Sequence, residues 1–380
     1  MLTQALVIAS AGAPFTLQDV IVHDEDMRED EVLVEMSATG VCHTDLNFRH
    51  ETMIEGMFPG VLGHEGAGKV LKIGSAVTNV VPGDHVLITY THCGKCKHCL
   101  SNETSYCKTW QMLNFGVHRR AFSFPPVQKD DVEEKGAKIR SHFFGQSSMS
   151  KNAIVMANCL VKVDKDAPLN LLAPLGCGFM TGAGAMLHVV RPKPQSTVVV
   201  AGVGAVGLAA IMALKIPTNP LKPSKVIAVD VVPQRLELAK KYGATDVINS
   251  RETPDLAQAL KDLTDGEGVD AAIDATGRPH VVEALIEGSS NKGIVVSVGV
   301  ADITATVSIR IFTSISAGVN YTSCAMGSCY PPEFMPEMIA AWKRGDFPFT
   351  DLQKEYPVKE VEQAEKDVLS GAVVKAVLIW

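Results

Sequence analysis

The chain has 380 residues, a net charge of −7 and an apolar content of 46%. This length exceeds what one ordinary hydrophobic core fills, so we expect two domains. Charged residues make up 20% of the chain, which is typical of a folded globular protein and excludes intrinsic disorder. The acidic balance excludes a binding surface for nucleic acid or for an anionic membrane.

The N-terminal segment MLTQALVIASAGAP has an apolar run with no basic residue before it. It therefore predicts a first β-strand and not a signal peptide. No stretch approaches 18 consecutive apolar residues, so no membrane span is predicted. A cytoplasmic location is the resulting expectation.

The two halves of the chain differ in their patterns. Residues 1 to about 160 carry short β-type runs, such as 32–36 and 68–73, which predict a compact and mostly antiparallel β domain. From about residue 178, buried-strand runs alternate with helical segments, beginning with the apolar run at 197–201. This alternation predicts a doubly wound α/β domain with a parallel sheet.

Four of the nine cysteines crowd into one short segment: Cys93, Cys96, Cys99 and Cys107. In a long chain without secretory features, such a cluster indicates a metal site before it indicates disulfides. Tetrahedral zinc takes four thiolates at about 2.3 Å, and four protein ligands leave no position for water or substrate. The spacing predicts a structural zinc in a lobe at about 92–110, with redox-active cysteines as the alternative.

A second set of candidate ligands, Cys42, His64 and Cys177, is scattered along the chain. Two thiolates and one imidazole leave a fourth position open, which is typical of catalytic zinc. Zinc in such a site acts as a Lewis acid on an alcohol or carbonyl oxygen. Taken singly, each residue has an ordinary alternative, because buried cysteines pack as small hydrophobes and most histidines are satisfied by neighbours.

A glycine-rich turn follows the apolar run at 197–201 and opens a helix; it comprises Gly202, Val203, Gly204, Ala205, Val206 and Gly207. Glycines at these positions permit a tight turn and close approach to a pyrophosphate, which the helix N-terminus attracts. Asp230 ends the next apolar run, where a carboxylate binds ribose hydroxyls and repels a 2′-phosphate. The motif predicts that the cofactor is NAD. Arg235 is close enough to contact the adenosine ribose, so binding of NADP stays possible.

With both cysteine patterns and the glycine turn in this order, the chain resembles the zinc-containing medium-chain alcohol dehydrogenases over nearly its whole length. Besides those motifs, the resemblance rests on the segments 40–45, 63–68, 82–86, 175–178 and 371–378. Within the family, the segments 143–148 (FFGQSS) and 182–185 (GAGA) are most similar to the aryl-alcohol, benzyl-type dehydrogenases. That group includes fungal enzymes of secondary metabolism.

The resemblance implies two domains. A GroES-like, mostly β catalytic domain spans 1–177 and resumes at 323–380, and a Rossmann domain that binds NAD spans 178–322. It also implies two zinc ions per chain, one catalytic and one structural, and a homodimer or homotetramer assembled through an edge strand around 304–311. The other predicted partner is a small-molecule alcohol or aldehyde.

Further roles are implied residue by residue around the catalytic zinc. Cys42, His64 and Cys177 would bind the ion, with Glu65 close behind it. Asp45 would orient His64, since metal-ligating histidines donate their second ring N–H to a fixed acceptor.

The resemblance also implies residues for substrate and cofactor. Thr44 would hydrogen-bond the substrate oxygen and pass its proton outward. His43 would contact the cofactor pyrophosphate, Lys375 would stand near the same phosphates, and Thr181 would pack against the nicotinamide. The sequence departs from many relatives at Asn47, where they carry the histidine that ends the proton relay, and at Thr89, where several carry a pocket aromatic.

These observations predict an enzyme that interconverts a primary alcohol, aryl or allylic, and its aldehyde by hydride transfer with NAD. A glutathione-dependent formaldehyde dehydrogenase is the first alternative. A polyol dehydrogenase is the second, and the intact four-cysteine lobe argues against it. The non-enzymatic alternative is a cofactor-binding redox sensor, against which the seven intact candidate zinc ligands argue.

Overall fold

The structure is a computed structural model that describes residues 1–116, 119–129, 132–134, 136–216, 223–302 and 304–380. The chain divides into two compact units. Unit 1 comprises Met1–Cys177, Tyr330–Pro336 and Thr350–Trp380, and unit 2 comprises Gly178–Cys329 and Glu337–Phe349.

The strands are, in chain order, β1 (Leu2–Ile8), β2 (Thr16–Val22), β3 (Glu31–Gly40), β4 (Gly60–Val61), β5 (Gly66–Ile73), β6 (His85–Ile88), β7 (Phe122–Ser123), β8 (Val127–Lys129), β9 (Val132–Glu134), β10 (Lys138–Ile139), β11 (Asn152–Met156), β12 (Leu160–Val163), β13 (Thr197–Ala201), β14 (Lys225–Asp230), β15 (Asp246–Asn249), β16 (Val269–Asp274), β17 (Ser289–Ser297), β18 (Asn320–Ser323), β19 (Gln353–Pro357) and β20 (Lys375–Ile379). The α-helices are α1 (His43–Phe48), α2 (Lys97–Leu100), α3 (Trp110–Phe115), α4 (Leu169–Leu172), α5 (Gly178–Gly184), α6 (Ala205–Ala213), α7 (Pro233–Tyr242), α8 (Leu256–Asp262), α9 (Pro279–Glu287), α10 (Ile311–Ala317), α11 (Pro331–Lys343) and α12 (Val361–Ser370).

Unit 1 contains two large sheets, one ordered β10-β7-β2-β1-β4 and one ordered β12-β6-β5-β3-β20-β19, with β11 also paired to β3. Apart from the parallel pair β19–β20, the neighbouring strands of these sheets run antiparallel, which confirms the predicted β domain. The register of β3 against β5 sets Thr39 opposite Gly66. Residues just after β3 therefore lie beside residues just before β5, which brings Cys42 close to His64.

Unit 2 contains a six-stranded sheet ordered β15-β14-β13-β16-β17-β18, in which every neighbouring pair is parallel. Counted along the chain this is the order 3-2-1-4-5-6, which belongs to doubly wound dinucleotide-binding sheets. The central strand β13 is almost wholly buried because helices cover both faces of such a sheet. The predicted Rossmann-type fold is confirmed.

The prediction of an edge strand at 304–311 is wrong. Residues 304–310 form no strand, α10 begins at Ile311, and β18 is the last strand in the sheet order. The alternation of β-branched and polar residues at 304–311 favours a strand, but such a preference is expressed only where a neighbouring strand is available for pairing.

Among the described residues, no single helix combines the length and apolar composition needed to cross a membrane. One bent pair, Leu169–Gly176 with Gly178–Val190, meets that test by length and composition alone. Most of its residues are buried, as is usual for core helices.

Candidate active site and metal centres

The four clustered cysteines converge on one point. The Sγ atoms of Cys93, Cys96, Cys99 and Cys107 all lie within 4.8 Å of one another. Cys99 Sγ lies 3.9 Å from Cys93 Sγ and 3.6 Å from Cys96 Sγ. Tetrahedral zinc with bonds of about 2.3 Å separates its sulfurs by about 3.8 Å, so the cluster fits a structural zinc.

Backbone N–H groups of the lobe itself lower the pKa of Cys93 and Cys96, whereas burial raises the pKa of Cys99 to about 12. The N–H of Lys108 donates to Cys96 Sγ at 3.5 Å. Together with the N–H of Cys99, it lowers the pKa of Cys96 to about 6. Because zinc binds thiolates and not thiols, this shift favours metal binding at neutral pH.

The second set of ligands also comes together, although its members are far apart in sequence. One ligand atom from each of Cys42, His64, Glu65 and Cys177 lies within 4.8 Å of the others. Nε2 of His64 is buried and has no hydrogen-bond partner among the described residues. An unpartnered buried nitrogen that faces two cysteine sulfurs fits a zinc ion with an open fourth position.

Asp45 connects the two segments that carry the first two ligands. Its Oδ1 accepts hydrogen bonds from His64 Nδ1 and from the N–H of Gly63, both at 3.0 Å, and its Oδ2 accepts from the N–H of Cys42 at 3.2 Å. The bond to Nδ1 places the ring proton there and leaves the Nε2 lone pair for a metal.

The sulfurs of Cys42 and Cys177 are close enough for one thiol to hydrogen-bond to the other sulfur. A hydrogen bond from Cys177, together with the nearby charge of Lys375, holds the pKa of Cys42 well below its ordinary value despite burial. The same hydrogen bond, together with burial, raises the pKa of Cys177. A cation held by Cys42 and Cys177 would replace the proton of that hydrogen bond and stabilise both thiolates.

Glu65 and Lys375 form a buried ion pair behind the ligands. Lys375 Nζ lies 2.6 Å from Glu65 Oε1 and 2.5 Å from Oε2, and it donates to the carbonyl of Val41 at 3.1 Å. Burial raises the pKa of Glu65 to about 7 against the opposing effect of Lys375. Lys375 has these partners in the structure, and its contact with cofactor phosphates stays a prediction.

Five aromatic rings that contact one another form the aromatic cluster: Phe48, Trp110, Phe115, Phe143 and Phe144. Two of them, Phe143 and Phe144, contact the His64 ring. Phe144 stacks on the imidazole with centroids 4.5 Å apart, and Phe143 meets it edge-on at 5.8 Å. Phe48 and Phe115 stack on each other at 4.6 Å and are half-buried. The cluster gives one side of the site an apolar, π-rich wall.

The predicted proton-relay and phosphate residues open helix α1. His43 is its first residue and is exposed, whereas Thr44 is half-buried. Asn47 lies one turn later and is exposed.

In unit 2, the glycine-rich turn has the geometry that a dinucleotide requires. Gly202 has a φ of 83°, which favours glycine, and a Cβ on Gly207 would lie 2.1 Å from the carbonyl oxygen of Gly202. A Cβ on Gly204 would meet no atom within 4 Å, so that backbone faces open space. Helix α6 begins at Ala205, and its free N–H groups and dipole suit a pyrophosphate.

Asp230, the last residue of β14, forms hydrogen bonds with the glycine turn and with the two residues that follow the strand. Its Oδ2 accepts from the N–H of Val203 at 2.8 Å, and its Oδ1 accepts from the N–H groups of Val231 and Val232. Arg235 Nε is buried without a hydrogen-bond partner among the described residues. The remaining predicted cofactor residue, Thr181, is buried on α5.

Among the buried polar residues to which the sequence assigns no function are Thr89, Arg140 and Gln146. Gln146 and Thr89 hydrogen-bond to backbone next to the ligands, and Arg140 donates to the carbonyl of Phe115 at 2.7 Å. Only Thr89 lies between apolar neighbours, Ile88 and Tyr90, so the sequence carries little signal for these residues and does not identify their partners.

Comparison with known proteins settles the family. Residues 28–165 match the alcohol dehydrogenase GroES-like domain, and residues 205–344 match the zinc-binding dehydrogenase family. The chain is also 32% identical to geraniol dehydrogenase from Castellaniella defragrans, over 99% of this chain and 97% of that protein.

The chain belongs to the zinc-containing alcohol dehydrogenase family.

Further relatives of this alcohol dehydrogenase have different substrates in their names. The crystal structure of benzyl alcohol dehydrogenase from Acinetobacter calcoaceticus superposes with a TM-score of 0.89 at 37% identity, covering 100% of this chain and 99% of that one. A probable S-(hydroxymethyl)glutathione dehydrogenase from Schizosaccharomyces pombe is 34% identical over 99% of this chain and 96% of that protein. The predicted family is confirmed, as is its use of zinc and NAD; the chain is a zinc-dependent oxidoreductase that acts on small-molecule alcohols.

Proposed function

We propose that this alcohol dehydrogenase interconverts a primary alcohol, aryl or allylic, and its aldehyde, with NAD as the hydride carrier. The aromatic cluster carries the proposal, because a π-rich wall stacked on His64 favours a flat, unsaturated substrate over a small aliphatic one. The similarity to proteins named benzyl alcohol dehydrogenase and geraniol dehydrogenase supports it.

Cys42, His64 and Cys177 would hold the catalytic zinc, and Cys93, Cys96, Cys99 and Cys107 the structural one. When bound at the catalytic site, zinc polarises the substrate oxygen and makes its proton more acidic. Asp45 keeps the His64 ring in the tautomer that binds metal, and Lys375 neutralises Glu65 behind the ligands. The site is thereby ready before the substrate arrives.

The hydroxyl of Thr44 accepts the substrate proton while donating its own onward. Asn47, one turn later on α1, carries an amide that takes up no proton near neutral pH. The proton therefore leaves through the cofactor ribose, water or another histidine. His50 is exposed just beyond the helix and is one such histidine.

The cofactor would lie on the glycine-rich turn at 202–207, with its adenosine ribose near Asp230 and Arg235. His43 and Lys375 would contact its phosphates, and Thr181 the nicotinamide. Because the Asp230 carboxylate repels a 2′-phosphate, NAD is favoured over NADP.

Initial rates with benzyl alcohol, cinnamyl alcohol, geraniol and ethanol, each with NAD and NADP, test the proposal. We expect kcat/KM to be highest for the aryl and allylic alcohols with NAD. Replacing Phe115 with leucine should lower the preference for benzyl alcohol over ethanol by about tenfold, a typical effect of reshaping an apolar pocket. Phe122→Leu is the matched control, since Phe122 is fully buried in β7 outside the aromatic cluster.

A glutathione-dependent formaldehyde dehydrogenase is the second candidate, supported by the relative from Schizosaccharomyces pombe. Turnover of formaldehyde only in the presence of glutathione, together with slow turnover of the aromatic alcohols, would establish that activity and overturn the first proposal.

A homodimer or homotetramer is the proposed assembly. Helix α10 exposes Ile311, Phe312 and Ile315 by 74%, 85% and 76%, and an apolar face of this kind is typical of a subunit interface. Light scattering should give a multiple of the chain mass, and Phe312→Glu should reduce it. A single-chain mass for the wild type would contradict the assembly. A cytoplasmic location and a place in secondary metabolism stay predictions.

A further inference from the structure

The segment 143–148 supplies no candidate zinc ligand, yet it has an unusual backbone. Phe144, Gly145 and Ser147 have φ values of 54°, 71° and 56°, and His142 just before them has 65°. Residues other than glycine rarely adopt this left-handed backbone conformation, and it persists where surrounding contacts impose it. The contacts that impose it here lead directly to the zinc ligands.

Gln146 provides the central contact. Its Nε2 donates to the carbonyl oxygen of His64 at 2.9 Å and to that of Thr89 at 2.7 Å, and its Oε1 accepts from the N–H of Gly66 at 3.1 Å. The side chain is fully buried. The Gln146 amide therefore connects the backbone of His64, through hydrogen bonds, with the start of β5 and the residue that follows β6.

Thr89 extends this connection to a second ligand. Its hydroxyl donates to the carbonyl oxygen of Gly176 at 2.7 Å, and Gly176 directly precedes Cys177. A Cβ on Gly176 would lie 2.2 Å from the carbonyl oxygen of Ile88, so this peptide packs closely against β6. Thr89 thus contacts the backbone that leads directly to Cys177.

The same segment also holds the imidazole ring and the residues before it. Phe144 stacks on His64, and the N–H of Ser148 donates to the carbonyl oxygen of Gly63 at 3.1 Å. The hydroxyl of Ser147 donates to the carbonyl oxygen of Val61 at 2.6 Å. Backbone and ring of His64 are both fixed from one side by 143–148, and from the other by Asp45.

We propose that Gln146 is a positioning residue for the catalytic zinc and that Thr89 transmits its effect to Cys177. By fixing the peptides of His64 and Gly176, the pair holds the nitrogen and sulfur ligands at separations that suit tetrahedral zinc. The inference rests on the proposed assignment of that zinc to Cys42, His64 and Cys177. Residues that orient ligands in this way typically change metal affinity or activity by about 10- to 100-fold when they are replaced.

The test uses the zinc-loaded enzyme and the variants Gln146→Leu, Thr89→Val and Thr89→Ser. Zinc release to a chromogenic chelator gives the rate for each of the two ions, and cobalt substitution reports ligand geometry through its visible spectrum. We expect Gln146→Leu and Thr89→Val to lose one zinc about 10- to 100-fold faster, with an altered cobalt spectrum. The other zinc should leave at the wild-type rate, and Thr89→Ser, which keeps the hydroxyl, should behave as wild type.

Asn114→Leu is the matched control. Its buried amide also makes three hydrogen bonds to backbone: Nδ2 donates to the carbonyls of Thr91 and Trp110, and Oδ1 accepts from the N–H of Thr91. None of these groups adjoins Cys42, His64 or Cys177. If Asn114→Leu speeds release of the same zinc as much, Gln146 acts through general stability and the proposal is overturned.

The outcomes separate this inference from the proposed function. A wild type with only one zinc overturns the proposed catalytic site itself. Two zinc ions with wild-type release and spectra in Gln146→Leu overturn the positioning role alone. If Gln146→Leu does not fold, the Thr89 pair decides: faster release in the valine variant restored by serine supports the role, and equal release in both overturns it.

Discussion

The two candidate zinc centres obtain their geometry in opposite ways. The structural centre draws its ligands from one segment, Cys93 to Cys107, whereas the catalytic centre gathers Cys42, His64 and Cys177 from distant parts of the chain. In the lobe, the described donors to sulfur include backbone N–H groups from the same segment, such as those of Cys93 and Lys108. The catalytic ligands are placed by the β3–β5 register and by buried hydrogen bonds.

This difference predicts opposite consequences of metal loss. A short loop with four thiolates depends on its ion for shape, because its backbone has few other reasons to close. Cys42 and His64 flank neighbouring strands of a sheet that packs against an apolar core, so the fold should survive without the ion. The structural zinc should therefore control stability, and the catalytic zinc should control turnover.

Replacing His64 with alanine should have the largest effect on activity. Loss of the ligand removes the Lewis acid, whose contribution of several kcal/mol corresponds to at least about a thousandfold in kcat/KM. Zinc analysis should find one ion per chain, and fluorescence titration should find NAD binding largely unchanged. His280→Ala, an exposed change on α9, is the control. Normal turnover by metal-stripped enzyme would contradict the role of this centre.

Replacing Cys96 with serine should affect stability instead. The variant should also lose one zinc, but kcat per folded chain should stay within a few-fold of the wild type. Its Tm should fall by more than about 5 °C, since each kcal/mol corresponds to about 2 to 4 °C in a domain of 150 to 250 residues. Cys324→Ser, a buried cysteine of neither centre, should keep both ions. An unchanged Tm after zinc loss would show that the lobe holds its shape without metal.

The sequence predicts the features that depend on neighbours along the chain. Four closely spaced cysteines and a glycine turn between strand and helix each carry their signal within a few residues, and both are found where expected. Alternating strands and helices also predicted the parallel sheet. The strand predicted at 304–311 shows the limit of this reasoning, because its pattern says nothing about whether a pairing partner is free.

Contacts between distant residues could not be predicted in this way. Lys375 and Glu65 are 310 positions apart, and Gln146 and His64 are 82 apart. Each pair is explained only after the sheet order is known, since burial of a charge or amide demands a partner without specifying which. The resemblance implies a phosphate contact for Lys375 and gives no indication of its carboxylate partner.

Unit 1 also contains a buried carboxylate with charged partners, the Glu31 cluster, which lies beside the 143–148 segment. Glu31, at the start of β3, is fully buried. It accepts hydrogen bonds from Arg119 at 3.1 and 3.0 Å and from the N–H of Arg28 at 2.8 Å, and it lies 3.2 Å from His142 Nε2. Burial alone would raise the pKa of Glu31, but His142, the Arg28 N–H and Arg119 lower it to about 2.

The Glu31 cluster predicts that the free energy of unfolding depends on pH. Because the folded pKa lies below the ordinary value of 4.5, Glu31 contributes fully above pH 4.5, and its contribution disappears as the pH falls toward 2. The shift corresponds to about 3 kcal/mol. Urea unfolding at several pH values should show that the wild type loses about 3 kcal/mol more between pH 5 and pH 2 than Glu31→Gln does.

Zinc should leave both proteins on acidification, so the difference between them reports the Glu31 carboxylate together with its pair with His142. Glu35→Gln is the matched control, because Glu35 lies on the same strand in a half-exposed pair with Lys151 and should follow the wild type. If the free energy of unfolding falls equally with pH in the wild type and in Glu31→Gln, the metal centres alone determine the acid stability of unit 1. A smaller fall in Glu31→Gln would show that a buried carboxylate stabilises the strand leading to Cys42 independently of either zinc.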